Sequence, residues 1–200
     1  MNTSPWKKDR IICQKRPLQI SHIWGSRIRL ELEGKTRDLA LFNMALDSKL
    51  QGCDLVKLKV SDVAYGSSVS SRATVLQQKT GSPVQFEITK GTREAVTALI
   101  KIGNFRSKDF LFRSRVGTNK HISTRQYNRI FHGRVEKPGL EDSLYSKHSM
   151  RRTKPYLIYK KTKNLRVIQL LLGHKKLEST VRYLGIEVDD ALEISESIEV

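Results

Sequence analysis

The spacing of apolar positions along the chain changes twice. In "SHIWGSRIRLELEG" (21–34), Ile23, Ile28 and Leu30 recur among polar residues at helical intervals, and Gly34 stands where such a helix would end. "TRDLALFNMALDSKL" (36–50) carries Leu39, Phe42 and Leu50 on a similar repeat. Between about Lys57 and Ile88 the period shortens. "ATVLQQ" (73–78) and "VQFEI" (84–88), with Val84, Phe86 and Ile88 alternating, are joined by the turn-forming "KTGSP" and predict a hairpin. Helical spacing returns in "TREAVTALIKIG" (92–103) and pauses at the apolar "DFLF" (109–112). It resumes in "STRQYNRIFHGRV" (123–135), where Ser123 is placed to cap. From about Ser143 the pattern predicts several short helices broken near Gly173. With no repeat or low-complexity tract, the expected fold is α+β but mainly α: a helical bundle with a small antiparallel hairpin inserted.

Two hundred residues suffice for one domain with a real core. Charge adds a direction. The chain has 37 Lys and Arg against 20 Asp and Glu, a formal net +17. Six of the acids and none of the bases follow Tyr183, so 37 bases face 14 acids before that point, a net +23. An excess of this size opposes folding and is relieved by a polyanion, which makes DNA or RNA the expected partner. The basic residues are spread along the chain and are not gathered on one amphipathic helix, so a membrane surface is not the expected partner. No stretch reaches the length of a membrane span or a signal peptide, and a cytoplasmic location is expected. These features divide the chain into a basic tail (1–18), one folded domain (19–185) and an acidic C-terminal segment (186–200).

Cys13 and Cys53 stand alone, without metal-ligand spacing, and predict neither a disulfide nor zinc. "EGKT" (33–36) ends like a phosphate-binding loop but has Arg29 where that loop needs glycine. "KTG" (79–81) with "SPWK" (4–7) lacks the further motif of serine acyl enzymes. His22, His121 and His132 have no partners at ligand spacing and are read as ordinary polar or nucleic-acid-facing residues. No cofactor or metal is predicted. The aromatic stacking motifs of common RNA-binding modules are also missing, which favours DNA.

Three fragments remain: "HSMRR" (148–152), "LLGH" (171–174) and "TVRYLG" (180–185). His148 and Arg151 are three apart and share a helix face. Gly173 can end a helix in the left-handed conformation and so aim His174, and Tyr183 follows on the next short helix. Attack on a phosphodiester by a tyrosine oxygen needs this set. An arginine fork matches phosphate oxygens, histidines donate to them or handle the phenol proton, and positive charge stabilises a phenolate whose ordinary pKa is near ~10.

In these residues the chain resembles the tyrosine recombinases, also called the phage-integrase family, as a compact single-domain member. The resemblance covers about residues 19–190 and implies that family's catalytic-domain fold. It also implies site-specific cutting and rejoining of double-stranded DNA through a 3′-phosphotyrosine, with copies of the chain assembling on DNA as dimer to tetramer. By it Tyr183 is the nucleophile, His148, Arg151 and His174 bind or activate the phosphate, and Lys79 of "QQKTG" protonates the departing 5′-oxygen. The acidic C-terminal segment corresponds to one that packs on an adjacent protomer in the family.

The sequence departs from the family at two places that bear on chemistry. Gln51, in "DSKLQGCDLVKL", occupies the slot of the family's first arginine, so one phosphate-binding cation is missing and cleavage is expected to be slowed. Lys49 is the nearest alternative, but two residues along one helix would turn it about 200° away. Pro155, four residues after Arg151, removes a helix hydrogen bond and is expected to kink the segment that carries His148 and Arg151. A non-catalytic DNA-binding relative that occupies recombination sites and regulates an active partner is the alternative reading.

Overall fold

A computed structural model describes residues 15–66, 68–117, 120–135 and 144–186, together with 192, 195, 196 and 198. Nine helices and two small antiparallel sheets follow in order among these residues. They are α1 (Ile20–Leu32), α2 (Thr36–Ser48), α3 (Gly52–Leu55), α4 (Val60–Val63), β1 (Ala64–Tyr65), β2 (Ser68–Val69), β3 (Arg72–Leu76), β4 (Pro83–Glu87), α5 (Lys90–Gly103), α6 (Thr124–Val135), α7 (Lys147–Thr162), α8 (Leu165–Leu172) and α9 (Leu177–Leu184). β3 pairs with β4 from Arg72↔Glu87 to Leu76↔Pro83, the hairpin expected from the alternation. The short β1–β2 pair has too few residues to leave a period in the sequence. None of the described helices is long and apolar enough to cross a membrane.

The core is built around α2, which is buried on every side from Ala40 to Ser48, as a helix must be when neighbours cover its whole circumference. α1, α5 and α7 all pack on it. Val96 and Leu99 of α5, Phe86 and Ile88 beside β4, and Leu111 and Phe112 of the apolar "DFLF" join this cluster. Each such side chain, fully buried, contributes about 1.5–3 kcal/mol relative to exposure. A second, smaller cluster holds α7, α8 and α9 together through Tyr159, Ile168, Leu172 and Leu184, with Tyr183 packed against it. α7 belongs to both clusters, since Met150 lies in the first and Tyr159 in the second.

Several local expectations hold. Ser123 caps α6 by accepting from Gln126 N at 3.0 Å. Gly34 and Gly173 both have positive φ, 61° and 68°. At Gly173 glycine is doubly required, because a Cβ would lie 2.7 Å from Val84 Cγ2 of the hairpin. Others are corrected. Ile28 is exposed, because α1 turns only Ile23, Ser26 and Leu30 inward. Leu50 is buried but lies past the end of α2. α7 runs through Pro155 without ending. His148 and Arg151 occupy its first two turns, ahead of the proline, where the expected disturbance does not interrupt the helix. Most of the basic 1–18 segment lies outside the described residues. Its last residues are described, and Leu18 is buried and donates its N–H to Thr153 Oγ1 at 2.9 Å. Most of 186–200 also lies outside them.

Lys49, the last residue before the chain leaves α2, is non-glycine in the left-handed region (φ 54°) and is buried. Its ammonium is held by both Glu87 oxygens, at 2.8 and 3.1 Å. Lys154 of α7 bridges Glu87 to Asp47, whose Oδ1 it reaches at 2.7 Å. The other Asp47 oxygen accepts from Thr89 N (2.8 Å), Thr89 Oγ1 (2.7 Å) and Thr92 Oγ1 (2.6 Å). One buried carboxylate thereby joins the end of α2, the start of α5 and the middle of α7. Burial alone would raise its pKa, but the bonds from Lys154, Thr92 and Thr89 outweigh that and hold it below the ordinary carboxylate value.

Asp47→Ala leaves four donors without their acceptor and should lower stability by about 3–5 kcal/mol in urea unfolding near neutral pH. Because the folded pKa is depressed, the contribution of Asp47 is present above its unfolded value near ~4 and disappears as pH falls through the lower folded value. The variant should therefore lose stability less steeply than the native chain on acidification.

Candidate active site

Ser146 fixes the start of α7. Its hydroxyl accepts from His148 N at 3.2 Å, while its own N–H donates to Ser149 Oγ at 3.1 Å. The two orphan groups of the first turn are thus satisfied reciprocally. One turn on, Thr153 Oγ1 donates to the Ser149 carbonyl at 2.6 Å. This rigid first half of α7 carries Lys147, His148, Arg151 and Arg152, and all four line a cavity of about 480 Å³. Gln51 enters from the bend between α2 and α3, Gln77 and Thr80 from the hairpin, and Thr124 from the start of α6. His174 comes from the α8–α9 junction and Tyr183 from α9. Of the residues singled out from the sequence, Gln51, His148, Arg151, His174 and Tyr183 therefore meet in one place. Lys79 is exposed in the hairpin turn and does not line the cavity, although Gln77 and Thr80 on either side of it do.

No Asp or Glu is among the residues lining this cavity, whereas Lys147, Arg151 and Arg152 are. Such a lining favours an anion. Arg151 donates from Nη2 to the Leu172 carbonyl at 3.4 Å, and its buried Nε has no hydrogen-bond partner. The Tyr183 hydroxyl is buried and makes no hydrogen bond of good geometry either, although the Arg151 side chain is near enough to draw its pKa down. The guanidinium carbons of Arg151 and Arg152 lie 5.9 and 5.4 Å from the Tyr183 ring centre. Burial pushes the phenol up to about 12, against the pull of the Arg151 and Arg152 charges. Burial also lowers the Arg152 guanidinium.

Gly173, ending α8 in the left-handed conformation, turns the chain so that His174 meets Tyr183 edge to face at 5.5 Å between ring centres. Nδ1 of His174 pairs with the buried Thr180 hydroxyl at 3.0 Å, which leaves Nε2 for a ligand. Burial lowers the His174 pKa, and the Arg151 charge adds to the effect. His148, more exposed, is lowered by partial desolvation and then by Lys147, Arg151 and Lys15. Both rings are thus biased toward the neutral form, able to accept a proton.

Lys49 takes no part in the cavity, for a reason different from the one expected. It closes α2 and Gln51 precedes α3, so the two do not share a helix, and the Lys49 ammonium is committed to Glu87. The sequence reading missed Lys147, Arg152, Gln77 and Thr124. Lys147 was within reach of a spacing argument, being four residues before Arg151 and so on its face. Gln77 was not, because its role depends on the hairpin lying against the end of α8, where Gln77 Nε2 donates to the Leu172 carbonyl at 3.4 Å. The other histidines have local partners. His22 accepts from Gln19 N (3.2 Å), His121 Nδ1 meets the Ile122 carbonyl (2.7 Å), and the His132 ring lies edge-on to Phe131.

Known proteins resemble the chain over most of its length. YoeC of Bacillus subtilis (strain 168), described as a probable integrase/recombinase, is 29% identical over 158 residues, which is 79% of this chain and 82% of that protein. The tyrosine recombinase XerC of Caldanaerobacter subterraneus subsp. tengcongensis is 26% identical over 179 residues. That match covers 86% of this chain and 48% of XerC, so the chain spans about half the length of that relative. Among solved structures, XerA recombinase superposes with a TM-score of 0.72 at 18% identity, covering 90% of this chain and 64% of XerA. XerH recombinase, in a post-cleavage complex with its palindromic difH substrate, gives 0.72 at 16% identity over 92% of this chain and 53% of XerH. These superpositions establish a shared fold. The family model described as the phage integrase family matches residues 27–188, a span that includes every cavity residue named above, and the chain belongs to that family.

Proposed function

We propose that the chain cuts and rejoins double-stranded DNA, with Tyr183 attacking a backbone phosphate to form a 3′-phosphotyrosine while the 5′-oxygen leaves. The observation that carries this reading is a pair of buried, unpartnered polar atoms, Tyr183 Oη and Arg151 Nε, in a cavity lined by bases and by no acid. A buried donor and a buried hydroxyl with no well-formed hydrogen bond are costly in the empty protein, and a phosphate oxygen can accept from both.

A phenol at about 12 is roughly five units above neutral pH, so forming a free phenolate first would cost about 7 kcal/mol. Proton loss therefore accompanies attack. His174, neutral and edge-on to the ring, is placed to take the proton, and Arg151 and Arg152 stabilise the charge that moves onto the phosphate oxygens. As the P–O5′ bond breaks, the leaving oxygen takes a proton from Lys79, which the hairpin turn carries toward bound DNA. The phosphotyrosine conserves the energy of the broken bond, and attack by a 5′-hydroxyl reverses the step with no outside energy source. Copies of the chain would assemble on DNA, the acidic C-terminal segment helping to link them.

Tyr183→Phe removes one oxygen and no charge. On a nicked suicide duplex, in which the cut strand cannot religate, the native chain should accumulate a covalent complex and the variant none, with duplex affinity within about threefold. A covalent product persisting in the variant would exclude Tyr183 as the nucleophile. Binding of both proteins should weaken with salt, log K falling by ~0.9 per phosphate contact for each tenfold rise. A flat salt response would contradict a DNA partner.

A further inference from the structure

The cavity contains a cation, Lys147, that takes no part in the steps proposed above. Lys147 is the first residue of α7, four positions before Arg151 and therefore on the same face. It lines the cavity together with Gln51 and Arg151. Its stem passes beside α3, where Lys147 Cδ lies 4.0 Å from the position a Cβ on Gly52 would take, next to Gln51 in the chain. The lysine stem thus runs in van der Waals range of the residue that follows Gln51.

Other positive charge surrounds the Lys147 ammonium. A helix N-terminus carries partial positive charge of its own. His148 and Arg151 stand nearby, and the Lys147 charge contributes to lowering the His148 pKa. No ion pair to Lys147 is present among the described residues. Lys49, the other lysine close in sequence to Gln51, is buried with its charge already paired to Glu87. A cation among other cations, in a cavity lined by no acid, has its natural counter-charge in a bound anion.

The geometry points to Lys147 as a further catalytic residue, an ammonium that contacts a non-bridging phosphate oxygen in the place of the guanidinium that Gln51 does not provide. This rests on the DNA-cleaving reading above. No proton or bond changes hands at Lys147, which acts only on the charge that builds on the phosphoryl oxygens. An ammonium is a single point of charge on a flexible stem and cannot grip two oxygens as a planar fork does. It therefore replaces part of the ~10³–10⁵ that one arginine contributes to phosphoryl transfer, not all of it.

The test is a double-mutant cycle on positions 51 and 147. It reads the single-turnover rate of covalent complex formation on the nicked duplex, with duplex affinity measured alongside. Lys147→Gln should slow cleavage by ~10- to 100-fold and change affinity by no more than about threefold, because many other bases hold the DNA. Lys147→Arg should recover most of the lost rate, which guards against a folding defect in the glutamine variant. Gln51→Arg should raise the rate less than ~10-fold with Lys147 present, and ~100-fold or more in the Lys147→Gln background. Strictly multiplicative effects, or a Lys147→Gln protein that cleaves like the native chain, would overturn the role of Lys147. So would a native chain that is silent until Gln51→Arg is introduced, although cleavage by that variant would leave the DNA-cleaving reading standing. If every variant binds DNA and none forms a covalent complex, the DNA-cleaving reading fails, and the inference fails with it.

Discussion

The Asp47 carboxylate is the constraint on which the arrangement depends. It is buried at the end of the central helix and accepts from four donors, three on the segment that begins α5 and one from Lys154 on α7. A buried carboxylate has no cheaper environment, so these elements cannot separate without exposing or orphaning it. Lys154 follows Arg151 by three residues. The bond that fixes α7 against α2 is therefore made within one helical turn of the guanidinium that faces the cavity. Glu87 extends the same network to the hairpin, and through Lys49 to the bend that presents Gln51. Asp47 and Glu87 are matched to Lys49 and Lys154, so neither acid is turned toward the cavity that holds Arg151 and Arg152.

How much of this the sequence revealed depends on how local each cause is. Gly173 was legible because a left-handed helix end is a one-residue property, and the hairpin because alternation and a turn lie within sixteen residues. The cap at Ser123 was legible for the same reason. Which apolar residues of α1 face inward was not, because Ile23 and Ile28 look alike until α2 covers one side. Whether α7 continues past Pro155 needed the same context. The proline is buried within a helix that is held at both ends by tertiary packing, and packing overrides a local penalty. For the site, His148, Arg151, His174 and Tyr183 are placed together by the order of motifs in the family that the chain resembles. Lys147 and Arg152 flank those motif residues without belonging to the pattern, and Gln77 requires the fold itself. Lys49 illustrates the opposite case, a charge near the site in sequence that tertiary structure commits elsewhere.

The two apolar clusters explain why a cavity exists at this point. The larger one ends at Leu50, Tyr127 and Met150, and the smaller one gathers Leu172, Leu184 and the ring of Tyr183. α7 is shared by both, so they cannot merge without crowding it, and the polar first half of α7 is left facing the gap. The ring of Tyr183 is anchored in the smaller cluster while its hydroxyl is held in the polar gap. This amphipathic placement leaves the ring little freedom and the oxygen without a competitor.

The Leu172 carbonyl receives two donors, Gln77 Nε2 from the hairpin and Arg151 Nη2 from α7, both at 3.4 Å. One acceptor at the end of α8 thus ties the hairpin and α7 to the same peptide group. Both bonds are long, and each donor shares its acceptor with the other. Little is given up when Arg151 exchanges this carbonyl for a charged oxygen, because Gln77 is still there to satisfy it. A spare donor on one peptide group leaves the arginine on loan to the backbone.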